Sequence, residues 1–111
     1  MEKDKLDIIF EMQNKFDSDL VQRRDLSGIS QAEWIQKETL AMLSELAELI
    51  DEVNFKWWKN PKPVNEQAVK EELVDILHFF VSMCLKMNMS SVELYDMLSL
   101  IHISEPTRPR L

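Results

Sequence analysis

Glu45 and Glu48 stand three residues apart, and after a gap of 23 residues Glu72 and Asp75 repeat that spacing. Residues three apart on a helix are neighbours on one face, about 60° from each other. Two such pairs on two packed helices would bring four carboxylates together. That is costly, because like charges raise one another's pKa and oppose folding. A divalent cation removes the cost. The ligands are all oxygen, with no cysteine or histidine at matching spacing, which favours Mg²⁺, or Mn²⁺ in its place, over zinc. An ion held there would bridge polyphosphate oxygens, polarise phosphorus and acidify a water, and a carboxylate left free would act as general base, a role open to Glu48 or Glu45. One pair alone reads as solvated surface; two pairs, both beside an apolar stripe, point to a metal site.

Four helical segments position these pairs, read from periodicity and caps. The first runs from about Asp4 to Arg23, with Leu6, Ile9, Phe10, Phe16 and Leu20 at helical spacing, and stops near Ser27-Gly28. The second opens on the capping box Ser30-Gln31-Ala32-Glu33 and reaches about Asn54. Its apolar stripe of Ile35, Met42, Leu46, Leu49 and Val53 is bordered by an acidic ridge of Glu38, Glu45, Glu48 and Glu52, so the ridge belongs at the lip of the core. Asn65 caps a third helix ending near Met89, and Ser90-Ser91-Val92-Glu93 opens a short fourth through about Leu100. No strand pattern competes, and the expectation is an all-α bundle of about four helices. The stretch Ile76 to Leu85 is apolar almost all round and needs cover on several sides, which a second subunit in a homodimer would supply.

A chain of 111 residues makes one domain with a modest core. Its net charge of -7 leaves no basic face for nucleic acid, although cations between carboxylates and ligand would still admit a polyphosphate. Cys84 is the single cysteine, which excludes an intramolecular disulfide and reads as a small buried side chain in a reducing compartment. No run approaches the roughly 20 apolar residues of a membrane span, and no apolar signal core follows Met1 to Lys5, so a cytoplasmic protein is expected.

Glu45-Leu46-Ala47-Glu48 followed by Glu72-Leu73-Val74-Asp75 resembles the ExxE…ExxD signature of the all-α NTP pyrophosphatases, which include MazG-like proteins and dimeric dUTPases. The flanking text, Glu38 to Ser44, Phe55-Lys56-Trp57-Trp58-Lys59 and Glu71 to Phe80, is similar to dimeric dUTPases in particular, over roughly residues 4 to 97. The resemblance implies hydrolysis of dUTP to dUMP and pyrophosphate with Mg²⁺ held by Glu45, Glu48, Glu72 and Asp75. A MazG-like enzyme acting on another nucleotide and a non-enzymatic acidic helical interaction module are the rival readings.

Gln13 and Asp17 interrupt the apolar stripe of the first helix and need partners if buried. Two roles are open, a polar bridge between helices or the reading of a uracil edge, for which a Gln amide has the required donor and acceptor. The family resemblance implies the second, with an amide expected where Asp17 stands. In the connector, Lys56 and Lys59 offer cations for phosphate while Trp57 and Trp58 offer faces for stacking, although one Trp is expected to plug the end of the bundle. Trp34 is expected in the core, and His78 as a satisfied residue on an apolar helix. Residues 1–98 are thus read as the domain. Residues 99–111, with Pro106 and Pro109 and no periodicity, are read as a non-native or disordered tail whose text resembles a translated sequencing adapter and lacks the further helices expected of the family.

Overall fold

The structure is a computed structural model and describes residues 3–104, the backbone alone beyond residue 101. It contains α1 (Lys5–Arg24), α2 (Gln31–Glu52), α3 (Glu66–Lys86) and α4 (Ser91–Ser104), and no strand among the described residues. Each start is capped as its sequence requires. The side chains of Asp4, Ser30 and Asn65 accept from backbone N–H groups of the first turns of α1, α2 and α3, and Ser90 does the same for Glu93 in α4.

The stops are less obvious. α1 ends not at Gly28 but at Asp25, which takes the left-handed conformation at φ 53° while the amide of Leu26 returns to Val21. α3 ends on Asn88 at φ 57°, with Met89 N–H bonding Cys84 O and Asn88 N–H bonding Leu85 O, a Schellman closure. Asp and Asn tolerate this region where most side chains do not, so neither stop needs glycine. α4 continues four residues past its expected end at Leu100. Of the expected tail, residues 105–111 lie outside those described.

α3 is the hub. Gln31 reaches Lys86, Glu38 reaches Ser82 and Glu45 lies by Glu72, so α2 runs antiparallel to α3. Gln13 meets His78 and Asp17 meets Ser82, so α1 runs parallel to α3 on another side. α4 folds back on α1, tied by Ser91 Oγ donating to the Asp7 carboxylate. Phe10, Val81 and Cys84 form the buried apolar centre, with Leu6, Phe80, Leu85, Met89 and Leu94 against it. The second half of α3 is apolar all round because α1 and α2 flank it within one chain: Val81 and Ser82 are each 1% exposed. Leu73, Val74 and Leu77, nearer the start of α3, do stay exposed.

The seam that α2 presents is Ile35, Glu38, Met42, Glu45, Leu49 and Glu52, all buried or half-buried. Their alternating steps of three and four keep one face toward α3. Glu38, Glu45 and Glu52 of the acidic ridge therefore lie in the seam itself rather than beside it, and Glu48 is exposed. Leu46 and Val53, expected in the apolar stripe, are turned outward with Leu40, Leu43 and Ile50.

Candidate functional site

Where α2 and α3 meet, Glu45, Glu72 and Asp75 each offer a carboxylate oxygen, and these atoms lie within 4.8 Å of one another. Glu45 and Glu72 are half-buried and Asp75 is exposed. Glu45 Oε2 and Glu72 Oε2 are buried oxygens with no hydrogen-bond partner. Orphaned acceptors of this kind call for a donor or a cation, and oxygen-only ligands suit Mg²⁺ or Mn²⁺. Glu48, the fourth carboxylate of the signature, is exposed and stands outside the group of three.

Crowding shows in the proton affinities. Burial, then hydrogen bonding with Glu48 and Glu72, then the charges of Glu48 and Asp75 push Glu45 up to about 7. At Glu72 a hydrogen bond with Glu45 pulls downward, but burial and the charges of Glu48 and Asp75 outweigh it and the carboxyl is raised. Between the ordinary carboxyl value and about pH 7, the folded chain holds a proton on Glu45 that the unfolded chain has released. Stability contributed by that proton is present at low pH and lost as pH rises to about 7. Metal-free protein should therefore melt lower at pH 7.5 than at pH 5, and Mg²⁺ should recover the difference at pH 7.5 with little effect at pH 5. Thermal melts with EDTA or Mg²⁺ at both values check this; a melting temperature that climbs with pH in EDTA would contradict the crowding.

A second polar cluster lies further along α3. Gln13, 8% exposed, donates from Nε2 to Asp17 Oδ1 at 2.8 Å and accepts at Oε1 from His78 Nδ1 at 2.7 Å. Ser82 Oγ is 2.7 Å from Asp17 Oδ2 and 2.6 Å from Glu38 Oε1. Lys86 Nζ lies 3.4 Å from Asp17 Oδ2 and 3.8 Å from Glu38 Oε1, and 4.7 Å from the centre of the half-buried Trp34 ring. Burial raises the Glu38 carboxyl, opposed by the Ser82 hydrogen bond and the Lys86 charge. In this structure Gln13 and Asp17 bridge α1 to α3, and Gln13 borders a cleft of about 430 Å³ whose walls include Met12, Phe16, Val74 and Leu77. Ser82 and Lys86 were not among the residues singled out from sequence. The signal was there: His78, Ser82 and Lys86 recur every four residues on an apolar helix, in step with Gln13 and Asp17.

The connector forms a different cleft. Lys56, Lys59 and Lys62 line it with Asp51, Asn54 and Asn60, and none of Glu45, Glu48, Glu72 or Asp75 does. Asn54 holds it shut by donating to Lys62 O and accepting from Lys62 N. Trp57, 87% exposed, and Trp58, also exposed, meet edge to face at 5.7 Å. Neither plugs the bundle, contrary to the expectation for one of them: both are exposed, and Trp58 packs edge to face on Trp57 and Phe55.

Four helices, with Glu45, Glu72 and Asp75 drawn together across the α2–α3 seam, make this an all-α protein with an acidic cluster. A family model described as dUTPase matches residues 5–107, nearly the whole chain, and the protein belongs to the dUTPase family in an all-α form. No curated protein and no solved structure matches. Among the described residues, no single helix is long and apolar enough to cross a membrane.

Proposed function

We propose that this chain hydrolyses dUTP to dUMP and pyrophosphate in a Mg²⁺-dependent reaction, keeping uracil out of DNA and supplying dUMP. The observation that carries the reading is the convergence of Glu45, Glu72 and Asp75, with two buried oxygens lacking any donor. These three, with Glu48, would hold Mg²⁺ or Mn²⁺. When bound, the ion supplies positive charge that draws triphosphate oxygens to an otherwise repellent acidic lip and makes phosphorus electrophilic. Glu48, outside the tight group and open to solvent, takes the proton from the attacking water. The water oxygen bonds to the α-phosphorus and pyrophosphate leaves. Gln13, held by Asp17, reads the base in the cleft between α1 and α3. Lys56 and Lys59 supply cations to phosphate, and Trp57 and Trp58 supply stacking faces, from the connector that follows α2.

The protein acts as a homodimer in this reading. Its radius of gyration is 17.2 Å, against about 13 Å for a compact chain of similar length. Leu40, Leu43, Leu46 and Ile50 form an exposed stripe along α2 that a second copy would cover.

The test is a thermal melt with Mg²⁺ and a non-hydrolysable dUTP analogue, alone and together, with dTTP and dCTP analogues as controls, followed by pyrophosphate release from dUTP. The expected result is a rise with both ligands that the controls do not match, equivalent to about 2.7 kcal/mol at a hundredfold excess over Kd. Cooperative unfolding with no rise refutes the nucleotide site, and an equal rise with dCTP assigns a broader substrate.

A further inference from the structure

Ser82 joins α1, α2 and α3 through one hydroxyl. Its Oγ lies 2.7 Å from Asp17 Oδ2 on α1 and 2.6 Å from Glu38 Oε1 on α2, yet a hydroxyl carries a single hydrogen. Two ionised carboxylates cannot both be satisfied there. One of the acids must bring a proton of its own.

The supply of donors says which. Asp17 accepts from Gln13 Nε2 on Oδ1 at 2.8 Å and faces Lys86 Nζ at 3.4 Å from Oδ2, so it is well provided for as an anion. Glu38 has only the Ser82 contact and the more distant Lys86 at 3.8 Å, and its Oε2 is buried without a partner. A buried orphan oxygen costs less on a neutral acid, where it is a carbonyl, than on a carboxylate. The proton therefore belongs on Glu38 Oε1, which donates to Ser82 Oγ, and Ser82 donates its own hydrogen to Asp17 Oδ2. The bonds then run one way, from α2 through α3 to α1. Charge favours the same order. The groups facing Glu38 are Ser82, Lys86 and His78 from α3 and Asp17 from α1. With Glu38 neutral, the charges of Asp17 and Lys86 cancel; with it ionised, two carboxylates compete for one hydroxyl and one ammonium in a mostly buried setting. Burial raises the Glu38 carboxyl against the opposing pull of Ser82 and Lys86.

We propose that Glu38, Ser82 and Asp17 form a proton-operated latch between the helices, closed while Glu38 holds its proton and loosened at α1 when that proton is lost. The sign follows from linkage: a carboxyl that holds its proton more tightly in the folded chain than in the unfolded one gives stability that is present at low pH and lost as pH rises. The latch lies two helical turns from Glu45 along α2 and from Asp75 along α3, and it acts on helix packing rather than on reacting groups.

Two measurements on the full chain in EDTA test it. In ¹³C NMR, the Glu38 side-chain carboxyl, assigned through its own carbons, is expected to titrate above the ordinary carboxyl range. In amide hydrogen exchange, the protection factors of α1 amides around Gln13 and Asp17 are expected to fall about tenfold between pH 5 and pH 8, the worth of one buried hydrogen bond left unmade. In Glu38→Gln that fall is expected to vanish, because the amide is a permanent, uncharged donor to Ser82 Oγ. A Glu38 carboxyl that titrates within or below the ordinary range overturns the latch. So does a fall in α1 protection that survives in Glu38→Gln, which would belong to Glu45 and its neighbours instead. If Glu38→Gln does not fold, the carboxyl titration decides alone.

Discussion

Glu45→Gln is expected to lower dUTP turnover by about 10²–10³-fold and, in the same protein, to raise the metal-free melting temperature at pH 8. The two effects have opposite signs for one reason. Glu45 sits in the α2 seam among Glu48, Glu72 and Asp75, and its carboxyl is pushed up to about 7 by burial, by hydrogen bonding with Glu48 and Glu72, and by surrounding negative charge. At pH 8 it is ionised, and the metal-free fold bears the repulsion of carboxylates held within 4.8 Å. Glutamine keeps the length and one carbonyl oxygen but removes the charge. The metal-free fold gains, while the site loses a charged ligand and with it part of the field that stabilises the transferring phosphoryl group. The variant should also lose most of the fall in melting temperature between pH 5 and 7.5. Steady-state turnover at saturating Mg²⁺ and melts in EDTA measure both. Turnover within tenfold of the unaltered protein would remove Glu45 from the metal site, and a lower melting temperature at pH 8 would mean that it serves the fold instead.

That opposition of stability and function marks what was legible in the sequence. Carboxylate pairs at three-residue spacing cannot serve a core, so Glu45, Glu48, Glu72 and Asp75 stood out, as did Gln13 and Asp17 within an apolar stripe. Helix starts were legible because Asp4, Ser30, Asn65 and Ser90 cap through bonds to residues only two or three positions away. The stops at Asp25 and Asn88 were less so, since the left-handed residue is selected by the closing hydrogen bonds rather than by glycine. Glu38 was read as part of a ridge at the core edge, but its depth depends on Ser82 and Lys86, 44 and 48 residues away in the chain. Periodicity reports which side of a helix is apolar and is silent on which neighbour fills it. The exposed Trp57 and Trp58 have the same origin: composition favours burial of an indole, and the direction of an irregular connector overrides it.

Lys86→Met is expected to destabilise the fold by about 3 kcal/mol at pH 8, by removing the cation that faces two carboxyls in a mostly buried setting. The Lys86 side chain is 18% exposed, and those of Asp17 and Glu38 are 14% and 9%. Methionine preserves the stem lying on Trp34, so lost packing contributes little and the uncompensated charge contributes most. The pH dependence separates the two. Glu38 is already raised by burial, and Lys86 opposes that rise, so its removal raises the carboxyl further. The folded variant then binds a proton that the unfolded chain has released, and its deficit should be largest at pH 8 and shrink toward pH 5. Adding Glu38→Gln should recover much of the loss, because the pair then retains only the Asp17 charge, and a double-mutant cycle in urea would give the coupling directly. A deficit equal at both pH values, with no recovery in the double variant, would mean that Lys86 acts through its stem on Trp34. Lys86 would then not be the counter-charge that lets an aspartate sit behind Gln13.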